Sequence, residues 1–526
     1  MLQTIKMAGS VLTALASAAT AGTNALADAG SIQQRIIGYL GDINGSGTVE
    51  SADVSLLQNF LFRQADLPEE QMPFTDMDHS GGINAKDLTI LKQILVNQKE
   101  PEPVYGFTET DKALIPAPVT DIEPDMPSVG EVSILAVAVN FPDRAHDKNM
   151  SAEDIHELIF GDAKPNDYIH PLESITAYYD RASYGRLHLT GDVYIYTAQR
   201  PIDYYLDKTD LLVAEVLTGL DAQINYKKYD ANDDAAMDTL LLALPGQPRT
   251  DYWWPCSGDS TLHQYFDGVC PGNLCIGAWP LSDLSGFNST WVHELGHAMG
   301  LPDYYVYPQK DEYGNEEELS PEEYYGLNGD AGTEMMDDAF GDMCAFSKLM
   351  LGWYKTDEVQ IYTGGTKTFT LDSSQHSPGC ILIPREDLND PRTDLFHSEF
   401  FLIESVTNDE NNAAGFYENS RYPLFRSGGV RIMHCDSELW DGYWGPEFKW
   451  NNYGQLYDSS NKKQRVLRLV NEGGGFFRAG AQVSFGTQGF GWYSSSGNVS
   501  VDPGIIITVN SLDSDGHCTI TVSQDH

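Results

Sequence analysis

Two stretches of the chain repeat one pattern of polar and apolar positions. Residues 41–63 read GDINGSGTVESADVSLLQNFLFR and residues 75–97 read TDMDHSGGINAKDLTILKQILVN, an offset of 34 residues. In each copy, oxygen-bearing side chains alternate first. Apolar residues then recur at helical spacing: Val54, Leu57 and Leu61, followed by Leu88, Leu91 and Leu95. That spacing lays one apolar stripe along a helix, so each copy predicts a polar loop and an outgoing amphipathic helix, with no incoming helix. Between 98 and 130 the pattern gives way to prolines at 101, 103, 116, 118, 124 and 127 among acidic residues, which predicts an extended linker. EVSILAVAVNF (131–141) is apolar and rich in β-branched residues, and predicts a buried central strand. A helix is predicted to open at Asn288 or Ser289 and to stop at Gly300 and Pro302. After Trp353, short alternating runs such as TKTFTLDS, CILIPRE, EFFLIES, GVRIMHCD and GIIITVN predict an antiparallel β-sandwich beside the preceding domain.

Composition narrows the class. Of 526 residues, 41% are hydrophobic and 21% charged, which suits a globular chain of several domains. The balance of 32 basic against 77 acidic residues, a net charge of −45, disfavours nucleic acid and anionic membrane surfaces and favours divalent cations. Lys6, a small-residue apolar run and Ala25-Leu26-Ala27 predict a secretory signal peptide over residues 1–27. No later run is long enough to span a membrane, so the expected product is exported, with no membrane insertion after cleavage. Seven cysteines are too few for a disulfide framework, although Cys256, Cys270 and Cys275 lie close enough in sequence for one bridge.

The repeated loops carry the first candidate chemistry. Asp42, Asn44, Ser46, Thr48 (through its carbonyl), Glu50 and Asp53 offer oxygens in the first, with Gly47 at the sharp turn. Asp76, Asp78, Ser80, Gly82 (carbonyl), Asn84 and Asp87 match them in the second, with Gly81 at the turn. Alternating oxygen ligands around a glycine are the EF-hand solution for Ca²⁺, so two calcium ions are expected. Position twelve is Asp rather than the usual Glu. A duplicated loop-plus-helix of this kind resembles the dockerin type I module of cellulosomal proteins, over residues 41–97. The resemblance implies a cohesin module of a scaffoldin as partner and an extracellular, cellulosome-associated or cell-surface location. It also makes Ser51, Ala52, Ala85 and Lys86, at loop positions ten and eleven, the partner-contacting residues.

The second candidate chemistry is HELGH. On a helix His293 and His297 project to the same side, as two zinc ligands require, and Glu294 beside them suits a general base. His293-Glu294-x-x-His297-x-x-Gly300-x-x-Asp303 has metzincin spacing, with Asp303 in the third-ligand position and Glu317 as the competing, thermolysin-like choice. Met336, or its neighbour Met335, supplies a methionine turn. Tyr304 and Tyr305 are candidate oxyanion-stabilising phenols, whereas Glu404 and His434 read as structural.

VNFPD (139–143), SITAYYDRASYGRLHLTG (174–191), YDANDDAAMDTLLLALPG (229–246), HELGHAMGLPDYY (293–305) and EMMDDAFGDMCAFSKLMLGW (334–353) together resemble the immune inhibitor A family of secreted zinc metallopeptidases. In the third block Asp230, Asn232, Asp234 and Asp238 would offer oxygens to one further calcium ion, although Ala235 stands where the turn favours glycine. The expected organisation is therefore a signal peptide (1–27), a small all-α dockerin (31–98), a proline-rich linker (99–129), an α/β zincin-like, metzincin-like catalytic domain (130–358) and a C-terminal antiparallel β-sandwich (359–526). The expected function is zinc-dependent endopeptidase action on a protein or peptide substrate, tethered through the dockerin. A dockerin-bearing glycoside hydrolase that degrades polysaccharide and a non-catalytic binding subunit are the alternatives; zinc content and hydrolysis of casein against cellulose or xylan separate them.

Overall fold

The alternation of loop and helix in the repeat is realised directly. The computed structural model describes residues 35–65, 67–68, 71, 74–77, 83–97, 101, 103–106, 124–246, 253, 255–305, 334–337, 341–385, 397–413, 427–441, 446–450, 464–471 and 475–525. The expected signal peptide, Asp78, Ser80 and Gly82 of the second loop, and Glu317 lie outside them. Strand β1 (Arg35–Tyr39) precedes the first loop, α1 (Ser51–Leu61) follows it, and α2 (Ala85–Asn97) follows the second loop. Leu40, Ile43, Leu57, Leu67, Met77 and Leu91 make a core of their own, with Val54, Leu61 and Leu88 packed against it.

Two expectations about this region need correction. Strand β2 (Pro103–Gly106) pairs antiparallel with β1, Tyr39 opposite Pro103 and Arg35 opposite Gly106. The module is therefore not all-α, and residues 103–106 are not linker. Val104 and Tyr105 are strand-favouring, and a proline is tolerated as the first residue of a strand because it lacks only the N–H.

The linker also ends earlier than its prolines suggest. Met126 is fully buried, and its N–H donates to the Ala298 carbonyl at 3.0 Å. Ser128 Oγ donates to the Leu351 carbonyl (2.9 Å), and the Trp353 indole donates to the Ser128 carbonyl (2.7 Å). Residues 126–128 thus belong to the core that follows.

That core is built on a five-stranded sheet. Strand β3 (Gly130–Asn140) lies between β4 (Leu187–Thr197) and β5 (Ala236–Pro245), both parallel to it. Outside β5 come β7 (Cys270–Trp279), parallel, and the edge strand β6 (Cys256–Asp259), antiparallel. Successive residues of a strand face opposite sides. Ile134, Ala136 and Ala138 accordingly meet α3 (Ala152–Phe160), α4 (Ile175–Ala182) and α6 (Leu284–Ala298) through Ile155, Ile175 and Trp291. Leu135, Val137 and Val139 meet α5 (Thr209–Leu220) through Val213 and Leu217. Burial on both faces explains why β3 reads as an unbroken apolar run.

Two larger sheets follow the helix α7 (Ala345–Met350), besides two two-stranded ribbons. The first has five strands: β8 (Val359–Ile361), β10 (Cys380–Pro384), β11 (Glu399–Val406), β12 (Gly429–Asp436) and β13 (Leu467–Leu469), with only the β8–β10 pair parallel. The second comprises β9 (Lys367–Leu371), β14 (Gln482–Val483), β15 (Ile505–Leu512) and β16 (Cys518–Gln524). Ile381, Phe401 and Ile432 of the first pack on Phe369, Ile507 and Ile520 of the second, making a sandwich. The opposite face of the first sheet, with Leu382, Phe400, Leu402 and Met433, merges into the same core as Phe346 and Leu349 of α7. The expected boundary at 358/359 therefore marks a change of secondary structure but does not divide two cores.

All seven cysteines are free thiols. Cys275 lies opposite Ser257 and Cys256 opposite Ile276, so the two thiols project to different faces of the sheet and the expected bridge does not form. No helix among the described residues is long and apolar enough to cross a membrane.

Candidate metal centre

Helix α6 carries the centre. It starts earlier than its sequence suggested: Asp283 Oδ1 accepts from the Gly286 N–H at 3.1 Å, and Asp283 is the N-cap. Asn288 lies within the helix, buried, with its amide donating to the carbonyls of Leu158 and Leu172, both at 2.8 Å. It holds α6 against α3 instead of opening it. At the other end Leu301 N donates to the Gly296 carbonyl (3.0 Å), and Gly300 has φ +95°, a left-handed turn that glycine enters at little cost.

This turn carries the chain back beneath the histidines. Asp303 Oδ1 lies 3.0 Å from His293 Nε2 and 3.2 Å from His297 Nε2. The remaining ring nitrogens are committed. His293 Nδ1 meets the Met335 carbonyl at 3.0 Å, and His297 Nδ1 meets the Leu301 carbonyl at 2.7 Å. A carbonyl can only accept, so each Nδ1 carries a proton, and a ring that gives up its Nε2 proton turns that lone pair toward Asp303. Three electron-rich atoms gathered this way repel one another unless a proton or a metal cation sits among them. Among the described residues, this is the group of three side chains whose ligand atoms all lie within 4.8 Å of one another. Tetrahedral zinc with bonds of ~2.0–2.1 Å separates its ligand atoms by about 3.3 Å, so the donor set and its spacing fit.

The surroundings are ordered by the 334–337 turn. The Met336 carbonyl accepts from Tyr304 N at 2.9 Å, while Met336 Sδ packs on Gly296. Buried Glu334 fixes the turn, accepting from Met336 N (2.5 Å), Ser347 Oγ (2.7 Å) and Cys344 N (3.3 Å). No sequence signal marked Glu334, because an acidic residue before Met335 carries no pattern of its own. Glu294 is 5% exposed beside the histidines. Burial pushes its carboxyl up, and His293 and His297 pull it partly back. Burial disfavours the His293 imidazolium, but the hydrogen bond and charge of Asp303 outweigh it and hold the group at about 9. Tyr304 is not an available phenol: it is fully buried and its hydroxyl bonds Ser347 Oγ at 3.0 Å. The Tyr305 ring instead stacks near His293, centroids 6.1 Å apart.

The first repeated loop is a second, separate candidate site, and the described ends of the second loop match it. Asp53 Oδ2 accepts from Glu50 N at 2.7 Å, and Asp87 Oδ2 accepts from Asn84 N at the same distance, the same contact 34 residues on. Asp42, Asp53 and Asp87 are buried, and a cation beside them would stabilise their carboxylates; Asp87 joins the two ends of its loop by accepting from Met77 N (2.9 Å) and Asn84 N. Ser51, Ala52, Ala85 and Lys86 are exposed on the first turns of α1 and α2. Glu404 and His434 are engaged by other side chains: Glu404 pairs with Arg431 (2.8 Å), and His434 sits between Glu399 (2.6 Å) and Arg468 (2.9 Å).

Comparison with known proteins agrees for the repeat. Residues 40–96 match the family model of the dockerin type I domain. No curated protein matches the chain. Dockerin domains bind calcium and attach to cohesins, so the chain carries a calcium-binding module for cohesin-mediated attachment to the extracellular cellulosome.

Proposed function

We propose that the part of the chain beyond residue 124 is a zinc-dependent endopeptidase, held on its scaffold by the dockerin. The observation that carries this reading is Asp303 Oδ1 within 3.0 and 3.2 Å of the two histidine Nε2 atoms, with Glu294 alongside. The likeness of its sequence blocks to immune inhibitor A metallopeptidases supports it.

His293, His297 and Asp303 would hold the ion. A bound zinc ion would supply Lewis acidity toward a peptide carbonyl and toward water. Glu294 takes the proton of the attacking water and delivers it to the nitrogen of the leaving amine, so its carboxyl ends as it began. Glu294 is almost wholly buried beside the histidines, so bulk water does not compete for the proton it carries. Met335 O and Leu301 O keep the two imidazoles in one tautomer throughout.

The test is zinc analysis of the purified chain with a casein assay on Glu294→Ala. The variant should retain zinc and lose activity by roughly 10²–10⁴-fold, the usual share of a general base. Undiminished casein hydrolysis by Glu294→Ala, or a wild-type chain that holds no zinc, overturns the reading.

A further inference from the structure

Asp238, the third residue of β5, is 1% exposed. Its Oδ2 accepts from Ala231 N at 3.0 Å, so the carboxylate faces the loop that precedes the strand. Its Oδ1 is buried with no hydrogen-bond partner. Leaving a carboxylate oxygen unsatisfied inside a protein is costly, typically about 1–3 kcal/mol or more. Asp230 and Asp234 stand close enough to add repulsion. The nearby Lys227 is spent on exposed Asp233, at 3.1 Å. A buried oxygen with no donor, near two more carboxylates, is the environment that a cation relieves.

The first half of the loop repeats the hydrogen bonds of the first dockerin loop. There, Ser46 N donates to Asp42 Oδ1 and Asn44 Oδ1, each at 2.9 Å, and Gly47 N donates to Asp42 Oδ2 at 2.7 Å. Here, Asp234 N donates to Asp230 Oδ1 (3.0 Å) and Asn232 Oδ1 (3.2 Å), and Ala235 N donates to Asp230 Oδ2 (3.2 Å). The backbone follows as well. Gly45 and Gly47 have φ +68° and +88°, and Asp233 and Ala235 have φ +60° and +71°. Ala235, which lacks the freedom of glycine, nevertheless holds the turn, at a cost of roughly 1–2 kcal/mol.

We propose that Asp230, Asn232, Asp234 and Asp238 bind a calcium ion, a third for this chain, separate from the dockerin pair and from the histidine centre. The donors are oxygens only, the set a hard cation takes and zinc does not favour. Placed here, the ion clamps the entry to β5. Cys270 N donates to the Ala235 carbonyl at 3.0 Å, so the same loop opens the pairing of β5 with β7. The sheet that supports α6 would then depend on calcium even with the dockerin silent.

The test counts calcium on the full-length chain by equilibrium dialysis. The dockerin-silenced variant Asp42→Ala/Asp76→Ala should keep one tight calcium. Adding Asp234→Ala, an exposed residue whose loss should spare the fold, should weaken that ion at least tenfold; Asp238→Asn should do the same. Terbium emission sensitised through Tyr229, adjacent to Asp230, reads the same site independently. A dockerin-silenced chain that folds but holds no calcium overturns the proposal. So does a calcium count and terbium signal unchanged by both Asp234→Ala and Asp238→Asn.

Discussion

Met336 Sδ rests directly on the backbone of Gly296, where a β-carbon would fall inside van der Waals contact. The missing side chain lets the 334–337 turn approach the helix closely enough for the Met335 carbonyl to orient His293. Gly296→Ala should therefore push the turn away and misplace a metal ligand. We expect zinc affinity to fall by tenfold or more in a competition titration, with part of it recovered in Gly296→Ala/Met336→Ala. An unchanged affinity in the single variant would mean that the close packing has no bearing on the centre.

The third ligand can be tested apart from the mechanism. Asp303→Ala should lower zinc affinity by more than about 10–100-fold, the cost of losing only an outer-shell partner. Glu317→Ala should leave occupancy unchanged; the reverse result would favour the thermolysin-like arrangement. A general chelator does not serve here, because stripping calcium at Asp230–Asp238 would also affect the sheet beneath α6. Zinc must be measured with calcium held in excess.

How far the sequence could be read depended on the range of each constraint. His293, His297 and Asp303 share one helix and one turn, so their convergence follows from local geometry, and the structure gathers them. The dockerin loops were legible for the same reason. The start of α6 was not: Asp283 caps it from ten residues before His293, and Asn288, a good capping residue by type, is instead fixed by carbonyls more than a hundred residues away. Pairing of β1 with β2 joins segments about 65 residues apart across the whole module, which no periodicity records. Composition likewise marked Met126 as linker, although its burial is decided by α6.

Met126 yields a prediction about truncation. A chain beginning near Asp121 keeps Met126 and Ser128 and should fold and retain its zinc site. A chain beginning at Gly130 loses both anchors. Met126→Ala alone should cost about 2–4 kcal/mol in denaturant unfolding, as for other buried methionines. Equal stability of the two truncated chains would show that the segment is dispensable.

Asp436 carries a pH dependence. Burial, with the charge of Glu399 added, pushes its carboxyl from 3.8 up to about 7. Below about pH 4 the group is neutral folded or unfolded, and its contribution is fully present. Between there and about 7 only the unfolded chain releases the proton, so stability falls as pH rises, by on the order of 2–4 kcal/mol in total. Asp436→Asn should remove this decline and raise the melting temperature at pH 8 relative to wild type. Parallel melting profiles of the two proteins from pH 5 to 8 would contradict it.

The dockerin gives the last prediction, and the β1–β2 pairing changes its design. Each loop ends on a buried carboxylate, Asp53 or Asp87, with others of its own sign in the same loop sequence, and the core shared by α1 and α2 is small. So few apolar side chains cannot offset the entropy of ordering some seventy residues, and calcium should supply much of the folding free energy. A 31–100 fragment retains both loops but lacks Pro103–Gly106, leaving β1 without its partner. A 31–108 fragment restores the pairing. We expect both to gain helicity on calcium titration followed by circular dichroism, with 31–108 melting several degrees higher at saturating calcium. Asp42→Ala or Asp76→Ala should remove one ion each and release the module from cohesin at lower chelator concentration. Equal helicity with and without calcium would deprive calcium-dependent attachment of its physical basis. Equal melting of the two fragments would confine the folding unit to the loops and helices alone.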